Sequence, residues 1–588
     1  MKEIKLQGRF VYTVSSEEDI CTSITKLEEG LDLIKISWKS ADGSDRTPPV
    51  ITITWEFPHD NIQGLWHPCA GTNRGIPAVW CGHMTSSSAS SAPVACLFSS
   101  GGMNRQTFAC ADAMNPVKYK FVLREEDSFW LCDIRLLDAV IPPMSVYETE
   151  LRIDTRALPY EEALGDVSDW WASMPMYTPA EVPEVCKHPV YSTWYSFHQH
   201  VDGDDIEEVL RTAEPLGLRS VIVDDGWQMA DAQRTYGFCG DWEVCPEKIR
   251  DMKTHVSRIH AMGLKYFLWY SVPYVGIHSK AWERFKGKYF PVSHDTAVLD
   301  PRYPDVREYL IQTYENAVIN WDLDGFKLDF IDQFSQPAKE NSDAPEGRDY
   351  VSTAQAVDRL MTDIISRLKA LKPDIGIEFR QSYIGPLMRK YGNMFRAADC
   401  ANDTVINKLR TIDIRLLSGN SPAHSDMLTW SPEEIPEAVA LQLIHTLFSV
   451  QQISVRPNRL PISQQKTLSF WLSFWEGHRE TLLSGKLRAY QPELLYTIVT
   501  CEDSSSYIAV AYAGHIVLPA PEGTPGKCVY INGGGWDGLT VTHKAPGEYR
   551  LTAKNCMGEK LWSEIKRLET STVAYEIPNA GLLEVEAL

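Results

Sequence analysis

The sequence predicts an α/β protein, a (β/α)8 TIM barrel flanked by an N-terminal β-sandwich domain and a small C-terminal β-sandwich domain. Within residues 179–484, short apolar runs alternate with amphipathic helical patterns, which is typical of a parallel sheet covered by helices. Residues 1–178 and 485–588 are instead rich in β-branched and aromatic residues, with Gly, Ser and Asn clusters between them. A chain of 588 residues is long enough for these three domains.

The two flanking regions carry strand patterns and little helical periodicity. PVITITWEF (49–57) and KYKFVLREEDSFWLCDIRLL (118–137) predict strands of the N-terminal domain. Beyond residue 485, LLYTIVTCEDSSSYIAVAYAG and KCVYING alternate apolar and polar residues, with turn signals every eight to twelve positions. This spacing predicts a small antiparallel β domain at the C-terminus.

The central region contains eight candidate strands. Ile206, Val209 and Leu210 follow helical spacing and lead into the first clearly buried run, SVIVDD. Eight strands alternating with helices favour a closed barrel over an open sheet, although the last two are weakly marked. In chain order the candidates are YSTWYSF (191–197), SVIVDD (220–225), LKYFLWY (264–270), GFKLDF (325–330), IGIEF (375–379), NMFRAAD (393–399), AHSDMLTW (423–430) and QISVRP (452–457).

Composition excludes several classes of function. A net charge of −21 disfavours nucleic acid and anionic membranes as partners, because both are bound through Lys and Arg. No apolar run of eighteen residues occurs, and no apolar segment follows the first lysines. The thirteen cysteines form no CxxC pair, which favours reduced thiols. We therefore expect a cytoplasmic protein with a neutral ligand.

Aspartates end several of the buried runs. Asp224 and Asp225 follow the second strand, Asp329 lies in the fourth and Asp399 follows the sixth. Catalytic groups of a (β/α)8 barrel project from the carboxyl ends of its strands, and a buried carboxylate is costly unless it is hydrogen-bonded or used. One such aspartate is most simply a helix cap, but four on different strands favour a catalytic site.

Two of these aspartates suit glycoside hydrolysis with retention, which needs one ionised and one protonated carboxyl. Asp329 is the better nucleophile, because Lys327 lies on the same strand face and a cation keeps a carboxylate ionised. Asp399 is then the acid/base. A direct pair with Arg396 lowers the pKa of Asp399, so this role requires Arg396 to point partly elsewhere or to share its charge with the nucleophile.

Four segments, VIVDDGWQ (221–228), LKYFLWY (264–270), GFKLDF (325–330) and FRAADCANDT (395–404), resemble glycoside hydrolase family 36 in sequence and in order. That family contains α-galactosidases, α-N-acetylgalactosaminidases and raffinose-synthase-like transglycosylases. The resemblance implies a retaining, exo-acting α-galactosidase-like hydrolase that forms a glycosyl-aspartate on Asp329, with Asp399 as acid/base.

The resemblance also implies a set of substrate-binding residues. Asp224 and Asp225 are expected to hold O4 and O6 of a galactose-like ring, with Lys327 and Trp269 lining the pocket and Trp194 on its wall. For the two tryptophans, packing within the barrel is the alternative, and for Trp227 packing is the favoured interpretation. Arg396 completes the predicted set together with Arg380, which is considered next.

Arg380 departs from the family pattern. Family α-galactosidases carry a Gly-rich turn with Cys or Ser after strand five, near O2 of the sugar, whereas this chain has GIEFRQSYIG (376–385). An arginine there could clamp an anionic or N-acyl group, or it could pair with Glu378, which is the favoured interpretation.

Other functions remain open from the sequence. A transglycosylase of the raffinose-synthase type would use the same two aspartates, and a hydrolase for an N-acetylgalactosaminide or a uronide would differ only at the sugar. A sugar-binding protein on an inactive barrel and a Mg²⁺-dependent barrel enzyme are alternatives from other classes. The prediction includes no cofactor and no metal, and an oligosaccharide or α-glycoside as the partner. A homo-oligomer is an alternative to a monomer that the sequence leaves open.

Overall fold

The fold is a nearly closed parallel barrel between two β-rich regions, as the sequence predicts. A computed structural model describes residues 2–212, 214–230, 233–334 and 345–588. Within these ranges, no helix combines the length and the apolar character needed to cross a membrane. All thirteen cysteines are free thiols.

The N-terminal region consists of two six-stranded antiparallel sheets that enclose a hydrophobic core of their own. Their strand orders are β1-β2-β5-β11-β10-β7 and β3-β4-β12-β9-β8-β6. Alternation of buried and exposed side chains along β5 and β11 places one face of each strand in this core. The strands are Lys2–Gln7 (β1), Val11–Ser16 (β2), Ile20–Glu28 (β3), Leu31–Lys39 (β4), Ile51–Pro58 (β5), Gly64–Trp66 (β6), Met84–Ser86 (β7), Val94–Phe98 (β8), Asn104–Cys110 (β9), Val117–Arg124 (β10), Phe129–Leu136 (β11) and Val146–Asp154 (β12), followed by the helix Tyr160–Ala172 (α1).

The barrel is an eight-stranded parallel sheet whose neighbours follow chain order, which confirms the predicted fold class. Parallel bridges from His424 to Val450 and from Leu428 to Ile453 nearly close it between the seventh and eighth strands. A small antiparallel sheet of three strands, β16, β17 and β18, follows the third barrel strand. The strands of this region are Val190–Ser192 (β13), Ser220–Val223 (β14), Lys265–Ser271 (β15), Tyr274–Gly276 (β16), Tyr289–Pro291 (β17), Thr296–Leu299 (β18), Gly325–Asp329 (β19), Gly376–Arg380 (β20), Met394–Arg396 (β21), Ala423–His424 (β22) and Gln452–Ile453 (β23).

The helices of this region cover the sheet from outside. They are Trp194–Phe197 (α2), Gly203–Leu210 (α3), Met252–Ala261 (α4), Lys280–Arg284 (α5), Pro304–Trp321 (α6), Thr353–Leu371 (α7), Pro386–Tyr391 (α8), Thr404–Ser418 (α9), Pro436–His445 (α10), Ile462–Gly477 (α11) and Arg479–Ser484 (α12). In α7, the buried residues Val357, Leu360, Met361, Ile364 and Leu368 recur at three and four positions, so one apolar face packs on the barrel.

The ends of several predicted strands differ from the structure. The first was predicted over residues 191–197, but β13 ends at Ser192 and a helical turn begins at Trp194. The sixth ends at Arg396, so Asp399 lies in the following loop, and the seventh contains only two residues. Aromatic and β-branched residues favour strands, yet here inter-strand hydrogen bonds end before these apolar runs do.

The C-terminal region contains a seven-stranded and a three-stranded sheet around a third core. Most strand pairs are antiparallel, as predicted, but β26 pairs with β28 in parallel and β27 pairs with β29 in parallel. The strands are Lys486–Tyr490 (β24), Ile498–Glu502 (β25), Ser506–Ala511 (β26), Val517–Leu518 (β27), Lys527–Asn532 (β28), Leu539–His543 (β29), Gly547–Lys554 (β30), Lys560–Leu568 (β31), Ser571–Tyr575 (β32) and Leu582–Ala587 (β33). The domain limits at 178/179 and 484/485 remain predictions.

Glycines make room for an aromatic ring within the barrel wall. Phe267 on β15 is fully buried and packs against Gly325 at the start of β19. A Cβ on Gly325 would lie 2.1 Å from this ring and 2.5 Å from the backbone oxygen of Gly376. Since neither the ring nor the strand has space to move, the sequence needs glycine here.

We expect Gly325→Ala to destabilise the protein by about 1–3 kcal/mol, because overpacking forces side chains and backbone apart. Urea unfolding followed by tryptophan fluorescence measures this change. Gly165→Ala is the matched control, since a Cβ at Gly165 in α1 meets nothing within 4 Å and alanine favours helix. Equal stability of the two variants would show that the space around Phe267 does not constrain the barrel.

Candidate active site

Two acidic side chains follow β14 at the barrel mouth, and both are buried. Oδ2 of Asp224 accepts a hydrogen bond of 2.5 Å from Nζ of Lys327 on β19. Asp225 accepts hydrogen bonds from the side-chain amides of Gln199 at 3.1 Å and Gln228 at 2.8 Å. The two carboxylates therefore differ in their partners, an ammonium group for Asp224 and neutral amides for Asp225.

These partners explain the electrostatics of the pair. Burial raises the pKa of Asp225 to about 6, because amide hydrogen bonds only partly replace water. Burial also disfavours the charge of Lys327, but Asp224, Asp329 and Glu378 together outweigh it and raise the lysine pKa above its ordinary value. Lys327 is thus a fixed cation within the barrel.

Asp329, the last residue of β19, is held by four hydrogen bonds. Its Oδ1 accepts from Nε of Arg380 at 2.6 Å, from the hydroxyl of Tyr383 at 2.6 Å and from the backbone N–H of Phe330 at 2.8 Å. Its Oδ2 accepts one longer bond, 3.2 Å, from Nε1 of Trp269. The two oxygens are therefore unequal, and Oδ2 is the less engaged one.

Asp329 is charged despite its burial. Burial opposes the charge, but Arg380, Lys327 and the Tyr383 hydrogen bond outweigh it and hold the pKa of Asp329 far below its usual range. Lys327 and Asp329 point to the same side of β19, because side chains two residues apart share a face.

The predicted pairing of Arg380 with Glu378 is wrong. Arg380 binds Asp329, and its guanidinium lies 5.2 Å from the ring centre of Phe330. Glu378 lies deeper in β20, where it accepts a hydrogen bond from Nε2 of Gln452. The two side chains share a face of the strand, but Glu378 is fully buried and Arg380 is 20% exposed, so they reach different levels of the barrel.

Arg396 is a buried cation shared by three carboxyl groups. Its Nη1 donates to Asp426, its Nη2 donates to Asp399 at 2.9 Å, and its Nε lies 3.6 Å from Glu378. Asp426 also accepts from the hydroxyl of Tyr195 at 3.0 Å. The arginine thus points partly elsewhere, toward Asp426 and Glu378, which is one of the two conditions that the predicted role of Asp399 requires.

The three acids around Arg396 differ in exposure. Glu378 and Asp426 are fully buried, whereas the side chain of Asp399 is 59% exposed at the mouth. Burial raises the pKa of Glu378 to about 7 and also raises that of Asp426. For Asp399 burial acts in the same direction, but the charges of Arg396 and Lys327 outweigh it, and the pKa lies below its ordinary value.

The three tryptophans considered from the sequence differ in burial and in their contacts. Trp269 is buried and contacts Asp329 through its indole N–H. Trp194 is half-buried on the turn after β13, with the guanidinium of Arg234 5.6 Å from its ring. Trp227 is fully buried and donates to the backbone oxygen of Trp269, which confirms packing as its role.

Helix capping does not explain the predicted aspartates. The described helices whose N-cap side chain accepts a backbone N–H begin after Asp202, Asp251, Ser279, Ser352 or Asp403. None of Asp224, Asp225, Asp329 and Asp399 has this role. Among the described residues, no group of three or more His, Cys, Asp or Glu side chains has a geometry that could hold a metal ion.

Several residues of this site were missed by sequence reasoning. Asp426 closely follows β22, so the rule that located the other strand-end acids applied to it as well. Glu378 within β20 and Tyr383 in the loop after it gave no such signal, since an acid inside a strand or a tyrosine in a loop has many structural roles. Their contacts with Arg396 and Asp329 depend on tertiary structure.

The comparisons with known proteins point to one family. A family model named Melibiase matches residues 184–385, which include β13, β14, β15, β19 and β20. Alpha-galactosidase 2 of Pediococcus pentosaceus is 26% identical over 197 residues, 32% of this chain and 27% of that protein. The alpha-galactosidase AgaA of Geobacillus stearothermophilus is 26% identical over 149 residues, 22% of this chain and 20% of that protein. The chain therefore matches about a quarter of the length of these relatives.

Solved structures share the whole fold. A crystal structure of a GH36 alpha-galactosidase AgaA variant from Geobacillus stearothermophilus, in complex with 1-deoxygalactonojirimycin, has a TM-score of 0.66 at 14% identity and covers 100% of this chain and 83% of that one. The alpha-galactosidase from Lactobacillus brevis has a TM-score of 0.64 at 13% identity, with 99% and 88% covered. The family model, the relatives and this shared fold together support a GH36 α-galactosidase-like protein.

Proposed function

We propose that the protein is a retaining, exo-acting glycoside hydrolase that releases terminal α-linked galactose or a galactose-like sugar. The observation that carries the proposal is Asp329, a buried and ionised carboxylate with one lightly engaged oxygen at the mouth of the barrel. The substrate class is supported by AgaA of Geobacillus stearothermophilus, a variant of which was crystallised with raffinose.

Asp329 has the properties of a nucleophile. Three hydrogen bonds fix Oδ1, so the carboxylate cannot rotate, and Oδ2 is left to attack the anomeric carbon. As Oδ2 forms the new C–O bond, the glycosidic bond breaks and its electron pair stays on the leaving oxygen. The product of this step is a glycosyl ester of Asp329.

Asp399 supplies the proton that the leaving oxygen needs. In the free protein its exposure and its bond to Arg396 keep it ionised at neutral pH. A bound sugar covers this exposed side chain, and removal of water raises the pKa toward that of a proton donor. In the second step Asp399 takes a proton from water while the water oxygen displaces Asp329, which restores the original anomeric configuration.

Asp224 and Asp225 are suited to holding the sugar. Adjacent carboxylates accept hydrogen bonds from neighbouring hydroxyls, and Lys327 can donate to a hydroxyl that Asp224 shares with it. An epimer that leaves one of these buried groups without a partner binds more weakly. We therefore assign this pair to recognition of the non-reducing sugar.

The position of Arg380 supports a second candidate, a hydrolase for sugars with an acidic or N-acyl group near the reacting carbon. Its guanidinium contacts the carboxylate proposed to attack, so a substituent of the sugar ring comes within its reach. Transfer to a sugar acceptor, as in the raffinose synthases, uses the same first step.

We expect Asp329→Asn to abolish turnover of 4-nitrophenyl α-galactoside, because an amide does not form the glycosyl ester. Asp399→Asn should slow raffinose hydrolysis by about 10²–10⁴-fold and the activated aryl galactoside less, since nitrophenolate leaves without a proton. Azide should restore turnover of Asp399→Asn only, as it attacks without a base and gives the α-azide.

Steady-state kinetics and NMR of the first product measure these effects, and Asp251→Asn, an exposed cap of α4, is the control with unchanged activity. A β-configured first sugar from the wild type would exclude retention. Full activity of Asp329→Asn would exclude Asp329 as the nucleophile and indicate a different catalytic site.

Arg380→Met tests the second candidate. Loss of the guanidinium should lower kcat/KM for every substrate, because it removes the hydrogen bond from Nε of Arg380 that helps to fix Oδ1 of Asp329. If Arg380 also contacts the sugar substituent, the α-galacturonide or α-N-acetylgalactosaminide should lose more activity than the α-galactoside. The ratio of their kcat/KM values to that of the α-galactoside should then fall about tenfold, as expected for the loss of a charged contact. An unchanged ratio across this panel would assign Arg380 to Asp329 alone.

The pH dependence of kcat/KM tests Asp225. With a pKa of about 6, this group is ionised at higher pH and binds a proton as the pH falls. Protonation removes an acceptor for sugar hydroxyls, so kcat/KM should decline below about pH 6. Asp225→Asn resembles the protonated form and should lack this decline, with a low value throughout. An identical acidic limb in both proteins would assign it to another group.

A further inference from the structure

A cavity lies at the end of the barrel opposite to the candidate active site. It has a volume of about 790 Å³, and its wall includes residues 179–182 before β13 and residues 421–423 at the start of β22. These are amino ends of strands, whereas Asp224 and Asp329 lie at carboxyl ends. Parts of α1, α8, α9 and β24 complete the wall, so all three regions of the chain border the cavity.

Arg389 on α8 is a buried cation in this wall. It is only 6% exposed. Its side-chain hydrogen bonds to described residues all come from Nη1, which donates to Oγ of Ser168 at 2.7 Å and to the backbone oxygen of Ser168 at 3.5 Å. Its Nε is buried and has no hydrogen-bond partner. Among the described residues, none of the carboxylates lies within ion-pair distance of Arg389, and burial lowers its pKa to about 10.

Such an arrangement is costly in the absence of an anion, because a buried charge needs a counter-charge. The Nε and Nη2 side of the guanidinium has no bond to Ser168, and Nη2 is the atom on that side that is not enclosed. Gly419 borders this side, and a Cβ at that position would lie 2.4 Å from Nη2. The glycine therefore keeps side-chain atoms away from Nη2.

Arg415 at the end of α9 is a second cation in the wall. It donates to the backbone oxygens of Phe448 and Gly485, each at 3.2 Å, and to that of Leu482. Within the described ranges it forms no ion pair with a carboxylate. Peptide oxygens fix the orientation of this guanidinium but leave its charge uncompensated.

Most acids and the other bases of the wall neutralise one another. Arg488 pairs with Glu162 and with Glu522, and Lys486 pairs with Glu522 at 2.8 Å. Burial raises the pKa of Glu161 to about 7, so this group is partly neutral at physiological pH. The exposed Asp169 is too far from Arg389 to form an ion pair, and its charge only raises the pKa of Arg389 from a distance. A positive charge at Arg389 and Arg415 remains.

We propose that this cavity binds a small oxyanion ligand, with a phosphate or carboxylate group on Nη2 of Arg389 and in the field of Arg415. A hydrogen bond from a guanidinium N–H to an oxygen of such a group is shorter and stronger than one between neutral groups. A ligand held there stabilises the contact of the barrel with the flanking regions and binds independently of the proposed sugar site.

The test is thermal unfolding of the full chain in inorganic phosphate, glucose 6-phosphate or citrate, each compared with sodium chloride at equal ionic strength. At about ten times the dissociation constant, the ligand should raise the unfolding midpoint by roughly 1–3 °C. The arm with the largest shift identifies the source of the anionic group. If no arm exceeds the chloride reference, the proposal is wrong.

Arg389→Met separates binding from a structural role of the arginine. Removal of an uncompensated buried charge should leave the ligand-free midpoint unchanged or higher, and the shift with ligand should disappear. Arg567→Met, on the exposed strand β31, is the control that keeps the shift. A lower ligand-free midpoint for Arg389→Met, or a ligand shift that persists in it, would overturn the proposal. Activity on the α-galactoside serves as an independent readout of the sugar site.

Discussion

Compensation of buried charge is the constraint on which the barrel mouth depends. Asp224, Asp329, Glu378 and Asp426 are each less than a tenth exposed, and burial of four acids is possible only with cations among them. Lys327, Arg380 and Arg396 have this role, and each lies within 4 Å of at least one carboxyl group. The cations come from three successive strands of the sheet, β19, β20 and β21, so the parallel register brings them to one place.

The same compensation creates a conflict in the proposed chemistry. A nucleophile needs a low pKa, and Arg380 with Lys327 provides it for Asp329. A proton donor needs a raised pKa, yet Arg396 acts on Asp399 in the opposite direction. Two features reduce the conflict: Arg396 divides its charge among Asp399, Asp426 and Glu378, and Asp399 is the one acid of this group that a substrate can still desolvate. The burial difference between Asp329 and Asp399 is thus part of the proposed division of roles.

Sequence reasoning located the strand-end acids, whose positions depend on strand order, and missed the contacts between side chains, which depend on tertiary pairing. The alternation of apolar runs with helical patterns predicted the eight strands, and the acids that end two of these runs placed Asp224, Asp225 and Asp329 at one end of the barrel, because all parallel strands end on the same side. The end of β13 was misplaced, since the aromatic residues 194–197 resemble a strand but form a helical turn. Arg380 was paired with Glu378, although the depth of each side chain in the barrel decides its partner. Neither Asp426 nor Tyr383 could be connected with its partner without the tertiary structure.

The two ends of the barrel differ in how their charges are balanced. At the mouth, Arg396 and Lys327 each act on three acids, and Asp224, Asp329 and Asp426 each pair with a cation. At the opposite end, Arg389 has one hydroxyl and one peptide oxygen as partners. A fold that provides cations for these buried acids at one end has the means to provide a counter-charge at the other, for example with an acid in place of Ser168. Retention of a serine there, next to a glycine that leaves space, is consistent with a counter-charge that comes from a ligand rather than from the chain.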